Sequence, residues 1–430
     1  MGIKLRLTLM NFLQFFIWGS WLLTIGAYWF QTKQWSGTEF GAIFSTMGIA
    51  SLFMPAIAGI IADRWVNAER LYGIFHIMGA IVLFTVPMVN DPSTMFWVML
   101  VNMIFYMPTI SLSITVAYSS MNKAGMDIIK EYPPVRVWGT VGFIVALWTV
   151  SLLGLETSSA QFYVAAASSL FLGLYSFTMP KCPPLGHVVK KSFVSALGLN
   201  AFSLFKNPKM ALFFVFAMLL GASLQLTNAY GDTFLHDFKF IPEFKDLLAV
   251  KYPAIIMSIS QISETLFILA IPFFLKKFGI KKVMLISMFA WVLRFAFFAY
   301  GDPGSGLWMI VLSCIIYGMA FDFFNISGSL FVETQSDSSI RASSQGLFMM
   351  MTNGFGALIG SIASGFIIEH YFTIQKIVIE NGQEVINKSM DWKGIWITFA
   401  AYSLVVAILF ALFFRHKHVP AEVNAQSIKH

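Results

Sequence analysis

Apolar runs long enough to cross a bilayer recur along this chain, and their repetition leaves few folds open. A spanning helix needs roughly 20 mostly apolar residues. About twelve such runs are visible, at about 8–30, 41–62, 71–89, 94–118, 134–155, 160–180, 209–232, 252–275, 283–301, 306–331, 344–368 and 394–414. Of the 430 residues, 57% are hydrophobic and only 11% charged. A soluble domain carries about 25% charged residues, so too few are present here to cover a surface facing water. Phe alone contributes 45 residues, suited to lipid-facing and helix-packing positions. The predicted class is an all-α, polytopic membrane protein whose main partner is the lipid bilayer.

Basic residues orient the runs. Lys and Arg gather in cytoplasmic loops, which also accounts for the net charge of +7 without any nucleic-acid partner. With the N-terminus placed in the cytoplasm, 19 loop Lys and Arg residues fall on the cytoplasmic side and 7 on the other. Both termini are then cytoplasmic, which requires an even number of spans, and twelve satisfies it. The longest cytoplasmic connection divides the runs into six plus six. The expected organisation is an N-terminal six-helix half (1–180), a cytoplasmic linker (181–208), a C-terminal six-helix half (209–415) and a cytoplasmic tail (416–430). Two halves related by an axis along the membrane normal place a substrate site between them near the midplane. The first run is too long for a signal-peptide core and lacks a small-residue cleavage site, so it reads as a retained helix. Cys182 and Cys314 have no metal or disulfide spacing, and no cofactor is expected.

Two short charged loops support the repeat. Gly59-Ile60-Ile61-Ala62-Asp63-Arg64 follows the second run, and Lys276-Lys277-Phe278-Gly279-Ile280-Lys281-Lys282 follows the eighth. Both resemble the loop motif of the major facilitator superfamily, Gly-x-x-x-Asp-Arg/Lys-x-Gly-Arg-Arg/Lys. The first has Val66-Asn67 where Gly-Arg is usual, and the second lacks the acid. Each copy is partial, and any cytoplasmic loop tends to be basic. Their matching positions in the two halves give them weight.

Ionisable side chains inside spans are costly and mark functional positions by default. Glu264 lies mid-span, three residues after Gln261 and on the same helix face. There it suits hydrogen bonding to a polar ligand or exchange of a proton, the bland role being a bond between helices. Asp322 follows Phe321, which shares a face with Tyr317; an acid beside two rings suits a proton carrier next to an aromatic pocket. The structural reading is a buried acid paired with a base such as Arg136. Arg136, Thr140 and Phe143 form an i, i+4, i+7 stripe, although Arg136 is also placed to snorkel to the interface. Gln225 and Asn228 offer amides on one face, equally usable as glue between helices. Arg294 and His76 stand alone in sequence and read as structural. Glu156 and Asp232 sit near run ends and are expected to reach water. Together these groups suit a polar, largely uncharged solute. The sequence has no Gly-x-x-x-x-Gly-Lys-Ser/Thr loop for ATP, so an ion gradient is the expected energy source.

The residues carry a specific resemblance. The strings Phe12–Trp21, Ala124–Asp127, Pro133–Phe143, Ile256–Thr265, Phe321–Ser329 and Ile340–Ser343 through Asn353–Gly356 are similar to those of the nucleoside:proton symporters of the major facilitator superfamily, the bacterial nucleoside and xanthosine permease type. The resemblance covers nearly the whole chain. It implies proton-coupled nucleoside uptake by alternating access across the bacterial cytoplasmic (inner) membrane, by a monomer. It also implies that Arg136, Thr140, Phe143, Gln225, Asn228, Gln261, Glu264, Tyr317 and Phe321 line the substrate pocket. Asp322 falls on the acid linked to proton coupling, with Glu264 a second candidate. The nearest rival is a carrier of the same fold for another small polar solute, such as a sugar. A membrane-embedded enzyme finds no nucleophile motif or clustered metal ligands in the sequence, and a channel would not need the six-plus-six repeat.

Overall fold

The computed structural model describes residues 2–184, 199–336, 340–380 and 383–417. The middle of the expected linker, with Lys190 and Lys191, and the expected tail from 418 lie outside the described residues.

Among the described residues, twelve helices have nine residues or more, in chain order: α1 Ile3–Gly19, α2 Gly37–Arg64, α3 Ala68–Thr85, α4 Pro92–Lys123, α5 Ile128–Leu152, α6 Ala160–Ser176, α7 Pro208–Asp237, α8 Pro253–Tyr300, α9 Leu307–Gln335, α10 Arg341–Met349, α11 Ala357–Ile367 and α12 Trp392–Phe413. These labels do not count spans. α10 and α11 continue into each other through a π-helical stretch, Met350–Gly356. Among the described residues, 9 helical rods are long and apolar enough to cross a membrane. α1 and α6, at 17 residues each, fall short of that length. α8 runs for 48 residues but breaks at Gly279, whose φ of 76° belongs to the left-handed region that glycine tolerates.

Local chemistry sets many of the starts. Ser36 and Glu39 form a reciprocal capping box at α2. Asp91 caps α4 through the Thr94 amide at 2.8 Å, with Pro92 at the first helical position. Asn207 caps α7 in the same way ahead of Pro208, and Asp391 caps α12 through the Gly394 amide at 3.0 Å.

The connections alternate between two ends of the bundle. At one end Lys33 reaches the Val89 carbonyl (2.8 Å), Gln31 donates to Asp237 (3.1 Å), Ala254 N donates to Glu156 (3.2 Å) and Gly37 N donates to Glu369 (2.6 Å). At the other end Glu69 accepts from Cys182 N (2.7 Å), Lys4 pairs with Glu131 (2.7 Å), Lys281 reaches the Ala411 carbonyl (3.1 Å) and Lys209 meets His416 (2.9 Å).

The expected first run, 8–30, is not one helix. α1 stops at Gly19, and turns lead to a short helical segment from Ile25. A second departure is an antiparallel hairpin, β1 Thr373–Glu380 with β2 Gln383–Met390, Thr373 lying opposite Met390. It closes where Asp391 N donates to the Phe372 carbonyl, 2.8 Å.

A polar network ties α1, α3, α4 and α6 together. Gln14 donates to Thr109 Oγ1 (2.9 Å), while its Oε1 accepts from Tyr72 OH (2.7 Å) and lies 2.9 Å from His76 Nε2. His76 Nδ1 meets Ser169 Oγ at 3.1 Å, so the histidine that stands alone in sequence is engaged on both ring nitrogens. Gln14→Leu would strip Tyr72 and His76 of their shared acceptor. Each buried polar group left unsatisfied costs about 1–3 kcal/mol, so the purified variant is expected to unfold at a clearly lower temperature in a thermal melt. An unchanged midpoint would count against a structural role for the network.

Candidate functional site

The site grows from close approaches between helices. At Gly318 of α9, an added Cβ would lie 2.7 Å from the backbone nitrogen of Glu264 and the carbonyl of Ser263 on α8. Only a residue without a side chain permits that contact, which sets Glu264 beside the Tyr317–Asp322 turn. Gly318→Ala overpacks the contact, at about 1–3 kcal/mol. The expected result is a lowered melting temperature together with reduced transport, and a variant equal to the parent in both would contradict this placement.

α5 faces the same region. Trp148 donates from Nε1 to Ser258 Oγ on α8 at 2.9 Å. Arg136 sits 4.2 Å from the centroid of the Phe15 ring on α1, a cation–π distance. It acts electrostatically on Glu264, on Tyr106 and on Tyr132. Glu264 in turn acts on Asp322 and on Tyr317. The structure therefore gathers Arg136, Glu264, Tyr317 and Asp322 into one electrostatic group drawn from α5, α8 and α9.

The expected pairing of Asp322 with Arg136 is not formed. Among the described residues no ion pair joins them: Asp322 is 5% exposed and its Oδ2 has no partner, while the Arg136 guanidinium lies over Phe15. A ring face holds the cation where the structural reading of Asp322 offered that carboxylate as partner.

Tyr317 and Phe321 stack with centroids 5.8 Å apart and planes 7° apart. Phe143 is buried where α1 passes, an added Cβ at Gly19 lying 2.6 Å from its carbonyl. Gln225 on α7 and Gln261 on α8 each keep a buried Oε1 without a protein partner. Thr140 and Asn228 are half-buried.

A small open pocket lies beside Phe321, lined by Gly221, Leu224, Trp291, Phe324, Asn325, Thr352 and Asn353 among others. Sequence reading missed Phe15, Trp291, Asn325 and Asn353. Phe15, Asn325 and Asn353 lie inside the family-like strings, which was the available signal. Arg294 is fully buried, donating to the Ser313 carbonyl (2.7 Å) and lying 4.7 Å from the Tyr317 ring centroid. It thus buttresses the aromatic wall. Glu156 and Asp232, expected to reach water, are instead 4% and 1% exposed, with His236 between them.

These helices, apolar outside and joined around a buried cluster of acids, amides and rings, define a polytopic membrane carrier. The sequence profile of the family described as "Nucleoside H+ symporter" matches residues 1–419, and the chain belongs to that family. The xanthosine permease of Escherichia coli (strain K12) is 53% identical over the full length of both chains. The nucleoside permease NupG of the same organism is 51% identical, again over all of both. The crystal structure of nucleoside transporter NupG superposes with a TM-score of 0.89 at 51% identity, covering 97% of this chain and 100% of that one. A POT family transporter at 13% identity and TM-score 0.70 shares the fold alone. The fold is thus the all-α, major facilitator-type fold, and the protein is a secondary transporter rather than an enzyme.

Proposed function

We infer that this chain takes nucleosides up together with protons, by alternating access. The observation that carries this reading is a set of buried acceptors without protein partners, Gln225 Oε1, Gln261 Oε1 and Asp322 Oδ2, in a chain of this family. Buried polar atoms rarely stay unpaired, and a nucleoside supplies the donors these lack. Its ribose hydroxyls suit Glu264 and the amides of Gln225, Asn228 and Gln261. Its flat base suits the rings of Phe143, Tyr317 and Phe321, and Arg136 and Thr140 complete the α5 side. Asp322 carries the proton, with Glu264 as the neighbouring acid that its charge state affects.

Twelve spans follow when α1 and α6 join the nine long rods and the bend at Gly279 divides α8 in two. They fall into the N-terminal half, 1–180, and the C-terminal half, 209–415. The basic end, with Lys4, Lys281 and Lys209, is the cytoplasmic one by the distribution of positive charge, which puts both termini inside. The opposite end is then external. There the two halves are sealed by Gln31 with Asp237 and by Gly37 with Glu369, so the pocket's exit lies toward the cytoplasm. The chain works as a monomer in the bacterial inner membrane and needs no nucleic-acid partner.

The test is uptake of labelled uridine by cells lacking their own nucleoside carriers, with and without a protonophore. Uptake that collapses with the protonophore supports the reading. If uridine, xanthosine and other purine nucleosides all stay out while the protein is present in the membrane, the reading fails.

A further inference from the structure

At the sealed end, away from the pocket, three buried ionisable groups converge. Glu156 comes from the α5–α6 connection, Asp232 and His236 from successive turns of α7. His236 Nε2 lies 2.6 Å from Glu156 Oε2 and 3.5 Å from Asp232 Oδ2. One ligand atom from each lies within 4.8 Å of the others. The three residues are 4%, 1% and 7% exposed in chain order.

The hydrogen bonds of the cluster are incomplete, and with both carboxylates ionised its charges do not balance. Both Asp232 oxygens are buried with no hydrogen-bond donor. Even a protonated imidazole leaves two carboxylates against one positive charge. The scaffold around Glu156 is already committed. Its Oε1 accepts from Ala254 N, and Gln161, which accepts from Thr24 at 2.7 Å, holds its backbone carbonyl at 2.9 Å. Oε2 is left facing the cluster.

We propose that Glu156, Asp232 and His236 form a binding site for a divalent transition cation of the zinc type, bridging the two halves of the carrier at its outer end. A neutral imidazole and two carboxylates balance a 2+ ion. One nitrogen and two oxygens, with a fourth position for water, are a ligand set zinc accepts. Bonds of about 2.0–2.2 Å in tetrahedral geometry separate ligand atoms by roughly 3.3–3.6 Å. The Asp232–His236 separation already meets that, and Glu156 need withdraw by less than about 1 Å. Asp and His four residues apart on α7 present both ligands on one helix face. Because Glu156 belongs to the first half and the α7 pair to the second, the bound ion holds that end shut. Zinc is then an inhibitor that traps the cytoplasm-facing state.

This rests on the transport reading for its second arm only. In the first arm, ZnCl2 is titrated calorimetrically into purified full-length protein without nucleoside. One ion per chain is expected, with affinity falling at least about tenfold in His236→Ala and in Asp232→Asn. Recovery in His236→Cys, which restores a zinc ligand, is also expected and guards against simple misfolding. In the second arm, external zinc should inhibit uridine uptake by the parent and, at the same concentration, fail against His236→Ala. Absence of stoichiometric binding, or binding unchanged in both His236→Ala and Asp232→Asn, overturns the site and leaves the cluster a proton-bridged clasp. Binding without inhibition overturns the trapping role. Failure of uptake by the parent before zinc is added bears on the transport reading alone.

Discussion

Asp322→Asn should abolish uphill accumulation of nucleoside while leaving exchange of nucleoside across the membrane. Asn nearly matches Asp in shape and keeps an oxygen where Oδ2 stands, so the packing of α9 against α8 at Gly318 should survive. What it lacks is a group that exists with and without a proton. A gradient biases a carrier only if the proton has different affinity in the two states. With the titrating acid gone, the cycle runs downhill only. A gradient of about one pH unit is worth about 1.36 kcal/mol per proton, which sustains roughly tenfold accumulation at one proton per nucleoside. The parent should approach that ratio, rising as the outer pH falls relative to the inner, because the acid must load outside and release inside. The variant should stop near equality at every pH. Measuring internal against external labelled uridine at steady state decides it. Normal accumulation by Asp322→Asn would move the proton to Glu264 or elsewhere.

The second large effect is expected at Glu264. Glu264→Ala removes a hydrogen-bonding charge from a site where Arg136 supplies the positive field. Hydrogen bonds involving a charged group contribute about 1.5–3 kcal/mol, so nucleoside affinity should fall by about 10- to 150-fold. Glu264→Gln retains an acceptor and gains a donor, and should lose much less. The two variants thus separate hydrogen bonding from charge. Equal losses in both would say that Glu264 acts through its charge on Arg136 and Asp322 instead of through contact with the solute. Direct binding of labelled uridine to detergent-solubilised protein reads this without the transport cycle.

Much of this architecture is legible in the sequence because lipid makes the rule simple: long apolar runs become helices. The limits appear where hydropathy is blind. The turns at residues 20–24 carry Trp21-Leu22-Leu23, apolar enough for hydropathy to read through the Gly19-Ser20 pair at the end of α1. The hairpin at Thr373–Met390 did leave a signal. Ile374, Ile377, Val378 and Ile379 are β-branched, which favours strands, and the segment is otherwise only a charged loop.

At the site, spacing along one helix identified residue types, as with Gln261 and Glu264, or Tyr317 and Phe321. It could not identify partners on other helices. Arg136 lies against Phe15, 121 positions away, instead of Asp322. Glu156 and His236 lie 80 positions apart in sequence and 2.6 Å apart in space. No local pattern predicts such a meeting, which depends on how two sets of helices seal at one end. The aromatic wall around Arg294 was hidden for the same reason: its supports come from Ser313 and Tyr317 on the following helix.

The most direct test of the central claim uses purified protein in liposomes holding a pH-sensitive dye, with no other ion gradient. Adding uridine outside should acidify the interior in step with uridine entry, and Asp322→Asn should remove the acidification while uridine still equilibrates. Uridine entry through the parent with no change in internal pH would contradict proton coupling.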